Sequence, residues 1–211
     1  MPRHIFDNNV LKNFLLPGQS YLLSHVCPGQ LCIPEAVKEE LNKTRRHFLG
    51  RSRPYQQLEA TASLAYHAQQ VDAAMQRLEF QGLSLMQRGD PTELELLTCL
   101  LDEDRIHAGE IECLVLAVCR GCTIYSDDTG LRDEVKTFNS GTALCLPGET
   151  SFPGLPITMH STIWLLIEAI GQGRLDMLDA GRIYDTMVYD IGSNLPPYAF
   201  KDVITDPEKY W

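Results

Sequence analysis

The chain has 211 residues, 44% hydrophobic and 22% charged, which fits one globular domain with an insertion or appendage and a sizeable core. The longest apolar approach to a membrane span, Ile163 to Ile170, is too short and contains Glu168, and Asp7, Asn8, Asn9 and Lys12 interrupt any signal-peptide pattern. No membrane partner and a cytoplasmic location are therefore expected, and the formal charge of −10 argues against a generally basic nucleic-acid surface.

The predicted elements begin with a short apolar strand ending at Phe6, closed by Asp7, and a helix from about Val10 to Leu16 that Pro17-Gly18 stops. Leu31-Cys32-Ile33 is a brief apolar run. Pro34 then stands where a helix begins, since its missing amide is no loss there, and Val37 and Leu41 share one face of that helix with Glu40 close by. Downstream, Lys43, Arg45, Arg46, Arg51 and Arg53 form a basic patch with no intervening acid. Such a patch suits a phosphate backbone, or cations at a helix C-terminus.

From Tyr55 to Phe80, apolar residues at helical spacing predict a long amphipathic helix, and Arg88-Gly89-Asp90-Pro91 a turn before another helix through Leu101. A helix from Gly109 to Arg120, a strand from Cys122 to Ser126, a helix from Leu131 to Phe138 and a strand from Ala143 to Leu146 follow. After a Pro- and Gly-rich linker come helices at Ser161–Ile170 and Met177–Met187. Strands alternating with helices predict an α/β fold with a central parallel sheet, helices on both faces and ligands at the strands' carboxyl ends.

Seven cysteines, an odd number among apolar neighbours, read as reduced core residues. In Cys119-Arg120-Gly121-Cys122, Gly121 has a structural task, ending a helix in the left-handed conformation.

Four acids, Asp7, Glu40, Glu110 and Asp128, fall at strand ends or helix starts. If they converge at about 6 Å with an effective dielectric near 20, each pair repels by roughly 3 kcal/mol, on the order of 15 kcal/mol in all. That matches or exceeds a domain's usual stability of about 5 to 15 kcal/mol, so the cluster must hold a cation or take up protons. All-oxygen ligation favours Mg²⁺ or Mn²⁺. Each acid also has a plainer reading: Asp7 as a helix cap, Glu40 as a solvent-facing acid beside Glu35 and Glu39, and Glu110 as a first-turn acid with Glu112 as its rival. Strand alternation points only one of Asp127 and Asp128 inward, and favours Asp128.

Taken in order, Asp7-Asn8-Asn9-Val10-Leu11, Pro34-x-x-Val37-x-x-Glu40-Leu41, Gly109-Glu110-Ile111-Glu112 and Ser126-Asp127-Asp128 followed by Arg132 resemble the PIN-domain nucleases, over about residues 4 to 180. The resemblance implies a three-layer α/β/α sandwich over residues 1–190, with a helical insertion at about 55–101 and a C-terminal tail at 191–211. It further implies a Mg²⁺- or Mn²⁺-dependent endoribonuclease, commonly the toxin of a toxin–antitoxin pair, with an antitoxin protein and a second copy of the chain as partners beside RNA. Asp7, Glu40, Glu110 and Asp128 would be the ligands, with Asp127 a substitute, Ser126 and Asn9 supporting them, and Arg45, Arg46, Arg51 and Arg53 steadying the RNA. A non-catalytic PIN-like interaction module is the alternative.

Overall fold

The computed structural model describes residues 3–41, 76, 83–87, 89, 91, 93–94, 107–140, 156–190 and 193–207. Its strands are β1 (Arg3–Phe6), β2 (Gln30–Pro34), β3 (Ser84–Met86), β4 (Thr123–Tyr125) and β5 (Met159–His160). The helices are α1 (Asn8–Leu15), α2 (Tyr21–Val26), α3 (35–41), α4 (Ala108–Arg120), α5 (Thr129–Asn139), α6 (Thr162–Gly171), α7 (Met177–Asp185) and α8 (Phe200–Thr205), with a π-helical turn, Thr186–Asp190, continuing α7.

All strand pairs are parallel, in the order β3-β2-β1-β4-β5. From β1 the chain moves outward through β2 to β3, then jumps back across the sheet to β4 and β5. Right-handed crossovers in opposite directions put α1 and α2 on one face and α4 and α5 on the other. The packing agrees: α4 lies against β1, β2, β4 and α5, while α2 packs with α6. A sheet covered on both faces has no solvent side, so Ile5, Phe6, Cys32 and Ile124 all have zero exposure instead of alternating with polar residues. For the same reason α4 is apolar around most of its circumference, burying Ile111, Cys113, Leu114, Val115, Leu116 and Ala117.

Four features depart from expectation. Pro34 ends β2 and pairs with Met86, so the helix starts one residue later; a proline is tolerated there because the strand stops with it. The sheet's edge strand β3 comes from within the stretch expected to be a helical insertion. Its setting is fixed by Glu93, which binds Arg120 at the end of α4 through two contacts, one at 2.7 Å, while Arg120 also donates to the Gln87 carbonyl at 2.9 Å. The strand after β4 is Met159–His160, where a linker end was expected; the Ala143–Leu146 segment and the helix expected over 55–80, Gln76 excepted, lie outside the described residues. Helix α2 was not anticipated at all.

Residues 193–207 dock on the body. Phe200 and Val203 of α8 are buried, Phe200 lies 5.2 Å ring to ring from Tyr184, and Tyr184 Oη donates to the Pro196 carbonyl at 2.7 Å. Gly121 closes α4 at φ +65°, ψ +43°, the left-handed conformation its position predicts. Cys122 beside it is a buried free thiol, its pKa pushed by burial up to about 11, as is that of Cys27, which leaves both unreactive. No helix among the described residues is long and apolar enough to cross a membrane.

Candidate metal centre

The strand order reverses between β1 and β4, and the strands' carboxyl ends at such a point are where open α/β sheets bind ligands. Asp7 follows β1 there, and Ser126, Asp127 and Asp128 follow β4. Asp7 extends the pairing through its amide, which donates to the Tyr125 carbonyl at 2.9 Å. It occupies the N-cap position of α1, yet its side chain makes no capping bond. Instead the 1%-exposed carboxylate accepts from Ser126 Oγ at 3.0 Å. Ser126 Oγ in turn accepts from the Asp128 amide at 3.1 Å, so one hydroxyl orients both aspartates. Asp128 caps α5 through Oδ1, which accepts from the Leu131 amide at 2.8 Å.

Glu40 reaches the same end of the sheet from α3. Its Oε2 accepts from Asn8 Nδ2 and its Oε1 from the Gly109 amide, both at 3.2 Å. Glu110 Oε2 accepts from the His107 amide at 2.7 Å, which fixes the carboxylate against the first turn of α4. Gly109 is needed for this approach: a Cβ there would stand 2.8 Å from Glu40 Oε1 and 3.2 Å from Val37 Cγ2. Because the nearest obstacle is the end of a flexible side chain, Gly109→Ala is expected to displace Glu40 and leave the fold intact. Stability should change by less than about 1 kcal/mol, since alanine also favours the helix. Mn²⁺ affinity, read by calorimetry, should fall about 10-fold or more; an unchanged affinity would remove Glu40 from the site.

The electrostatics link the four acids. Burial above all, then Glu110 and Glu40, push the Asp7 carboxyl up to about 7, against the opposing effect of the Ser126 hydroxyl. Glu110 is also raised, chiefly by burial, with Asp128 and Glu40 adding to it and the His107 amide opposing. The donor set is all oxygen, which suits a hard divalent ion. Beside it, Asn8 is 8% exposed and its Oδ1 is a buried acceptor with no hydrogen-bond partner. Surplus acceptors and buried carboxylates raised toward neutrality are what a cation would relieve. Even so, among the described residues no group of three or more His, Cys, Asp or Glu side chains stands arranged to hold a metal ion.

Some expected residues lie elsewhere. Asp127 turns away from the other acids toward α6: its Oδ1 accepts from the Thr162 amide at 2.8 Å, and its Oδ2 from Thr162 Oγ1 at 2.6 Å and Asn13 Nδ2 at 2.9 Å. It joins β4 to the start of α6, and burial raises its pKa while these donors lower it. Glu112, the rival of Glu110, accepts from the Ala36 amide at 2.6 Å and holds the first turn of α3. Asn8, and not Asn9, carries the supporting amide; Asn9 is half-buried and makes no side-chain hydrogen bond among the described residues. Arg45, Arg46, Arg51 and Arg53 lie outside the described residues.

One contributor went unread. Half-buried Lys12 on α1 has its pKa lowered by burial, with Asp7 and Glu40 acting against that. The available signal was helical spacing: Asn8 and Lys12 are four residues apart, on one side of the helix that opens at Asp7. Comparison with protein-family models, with curated proteins and with solved structures finds no match to the chain.

Proposed function

We propose that the protein is a PIN-like, divalent-metal-dependent endoribonuclease in which Asp7, Glu40, Glu110 and Asp128 hold Mg²⁺ or Mn²⁺. The observation that carries this reading is the gathering of four electrostatically linked carboxylates at the strand-order reversal of an all-parallel sheet. When bound, such an ion supplies an activated water and charge stabilisation for in-line displacement at phosphorus. The protein's part is to orient the ligands. Ser126 sets Asp7 and the Asp128 backbone, while Asn8 and the Gly109 amide hold Glu40 from two sides. Glu110 Oε1 and Asp128 Oδ2 meet no hydrogen-bond donor among the described residues, which leaves an oxygen of each for the ion. The basic stretch from Lys43 to Arg53, which follows Glu40 in the sequence, carries the cations that would contact an RNA backbone. A role as the toxin of a toxin–antitoxin pair, with an antitoxin or a second copy as partner, belongs to the same proposal.

The test is cleavage of a mixed-sequence RNA with Mn²⁺ titrated from zero. Wild-type protein should show metal-dependent cleavage that EDTA abolishes and that Asp128→Asn loses while remaining folded. Activity surviving in Asp128→Asn would refute the assignment.

The second reading, a non-catalytic PIN-like interaction module, draws on the lack of a closed three-ligand arrangement among the described residues. Its distinguishing result is a melting temperature that Mn²⁺ leaves no higher in wild type than in Asp7→Asn.

A further inference from the structure

His4 on β1 and Tyr125 on β4 stand on the sheet face that α6 covers, and His4 Nδ1 meets Tyr125 Oη at 3.1 Å. From Tyr125 the ring contacts run on to His160 of β5 at 5.5 Å and to Trp164 of α6 at 6.1 Å, and the His160 and Trp164 rings stack at 3.8 Å and 16°. His4 is 8% exposed, and its Nε2 is buried with no hydrogen-bond partner. In either neutral tautomer one ring nitrogen pairs with the phenol and the other goes without. The charged ring is worse placed, because it must present an N–H at Nε2 with nothing to receive it, in a site nearly closed to water. The titratable groups around it give no relief. Burial keeps Tyr125 and Cys27, at the end of α2, in their neutral forms; His160 would add a like charge; Glu168 of α6 acts on His160, and Lys12 of α1 is linked to Asp7 and Glu40. Burial accordingly lowers the His4 pKa, with the Pro28 backbone opposing more weakly, and lowers that of His160 as well.

We infer that His4 is an acid-released latch: neutral, it fastens β1 to β4 beneath α6, and a proton on it favours an opened form in which α6 lifts and the ring reaches water. Above the ordinary value of 6.5 the ring is neutral in the closed and opened forms alike, and the latch is whole. As pH falls from 6.5 toward the lower pKa of the closed form, the opened form takes up a proton that the closed form refuses, and stability is lost; below that lower pKa the loss is complete. The opening falls on α6 because its Trp164 covers these rings, whereas α4 packs on the opposite face of the sheet. His160 is half-buried against an indole face with Glu168 favouring its charge, so the burden of an unplaced proton rests on His4. None of this depends on whether the acids at the strand ends hold a metal ion.

The experiment compares the full chain with His4→Gln, which keeps a polar partner for Tyr125 and does not titrate, both in EDTA. Asp7 and Glu110 tilt both proteins' stability profiles in the opposite sense, and subtracting one profile from the other removes that tilt. The wild-type melting temperature minus that of His4→Gln should be level above pH 7 and fall by several degrees between pH 6.5 and pH 5. By amide hydrogen exchange, the ratio of wild-type to His4→Gln rates in α6 should rise on the order of tenfold from pH 7 to pH 5, while in α4 it stays within about twofold. Parallel melting profiles, or a ratio that rises equally in α4 and α6, would overturn the latch. If His4→Gln does not fold, the wild-type protein decides alone: a His4 imidazole resonance that titrates clearly below 6.5, with α6 amides exchanging faster relative to α4 as pH falls, supports the latch, and a His4 that titrates at or above 6.5 overturns it.

Discussion

Asp7→Asn should stabilise the metal-free protein at pH 8 while reducing Mn²⁺-dependent RNA cleavage by at least about 100-fold, the upper end of what losing a supporting contact costs a metal site. The stabilisation follows from the Asp7 carboxyl, whose pKa lies at about 7 in the folded chain against an ordinary 3.8. Below pH 3.8 folded and unfolded states are both protonated there, and the group adds no pH dependence. Between 3.8 and 7 the folded state keeps a proton that the unfolded state has released, so stability falls as pH rises. Above 7 the penalty is complete, on the order of 4 kcal/mol. For a chain of this size that corresponds to roughly 10 °C in melting temperature. Glu110 is shifted in the same direction and adds to the trend. In EDTA, wild type should therefore melt higher at pH 5 than at pH 8, and Asp7→Asn should flatten much of that difference. Saturating Mn²⁺ should reverse the order at pH 8, because wild type gains binding energy that the variant lacks. A wild type and variant with parallel pH profiles in EDTA would mean that Asp7 is not held at raised pKa.

Asp127→Ala should be the most destabilising single change at this end of the sheet, at about 3 to 5 kcal/mol. It strips the acceptor from the Thr162 amide, Thr162 Oγ1 and Asn13 Nδ2, and both partner residues are buried. Unsatisfied buried donors cost about 1 to 3 kcal/mol each, although Asn13 retains a contact to Thr162 Oγ1 at 3.2 Å. Asp128→Asn, one residue on, should cost less than about 1 kcal/mol, since asparagine caps a helix nearly as well as aspartate. Their effects on Mn²⁺ should run the other way: Asp127→Ala that is still folded keeps its affinity, and Asp128→Asn loses it. Urea unfolding and calorimetry on both variants decide the point. An Asp127→Ala protein that is as stable as wild type but blind to Mn²⁺ would exchange the roles of the two aspartates.

The parallel α/β architecture was legible because its strands and helices carry their own patterns. β1 is a short apolar run closed by an acid, and α4 and α6 have apolar faces ended by glycine and polar residues. What escaped has physical causes. β3 and β5 are three and two residues long, too short for any periodicity, and they exist as strands only because β2 and β4 offer edges to pair with. Helix α2 spans six residues and owes its existence to packing against α6. At the site, strand ends placed Asp7 and Asp128, but the direction of a side chain depends on distant partners. Nothing local to Asp127 foretells Thr162, 35 residues away, and nothing beside Asn8 foretells Glu40.

The hydrogen bond from Ser126 to Asp7 spans 119 residues. During synthesis β1 emerges first and can pair with β2 early, while its other neighbour, β4, arrives only after more than half the chain has been made. Until then Asp7 lacks both the hydroxyl that orients it and the wall that takes it out of water. High sequence separation of this kind slows folding, since the loop must close before the contact repays it. A chain halted between Glu40 and Ser126 carries Asp7 and Glu40 but lacks the strand that buries Asp7 and the hydroxyl that orients it, so this end of the sheet takes shape only once β4 has joined β1.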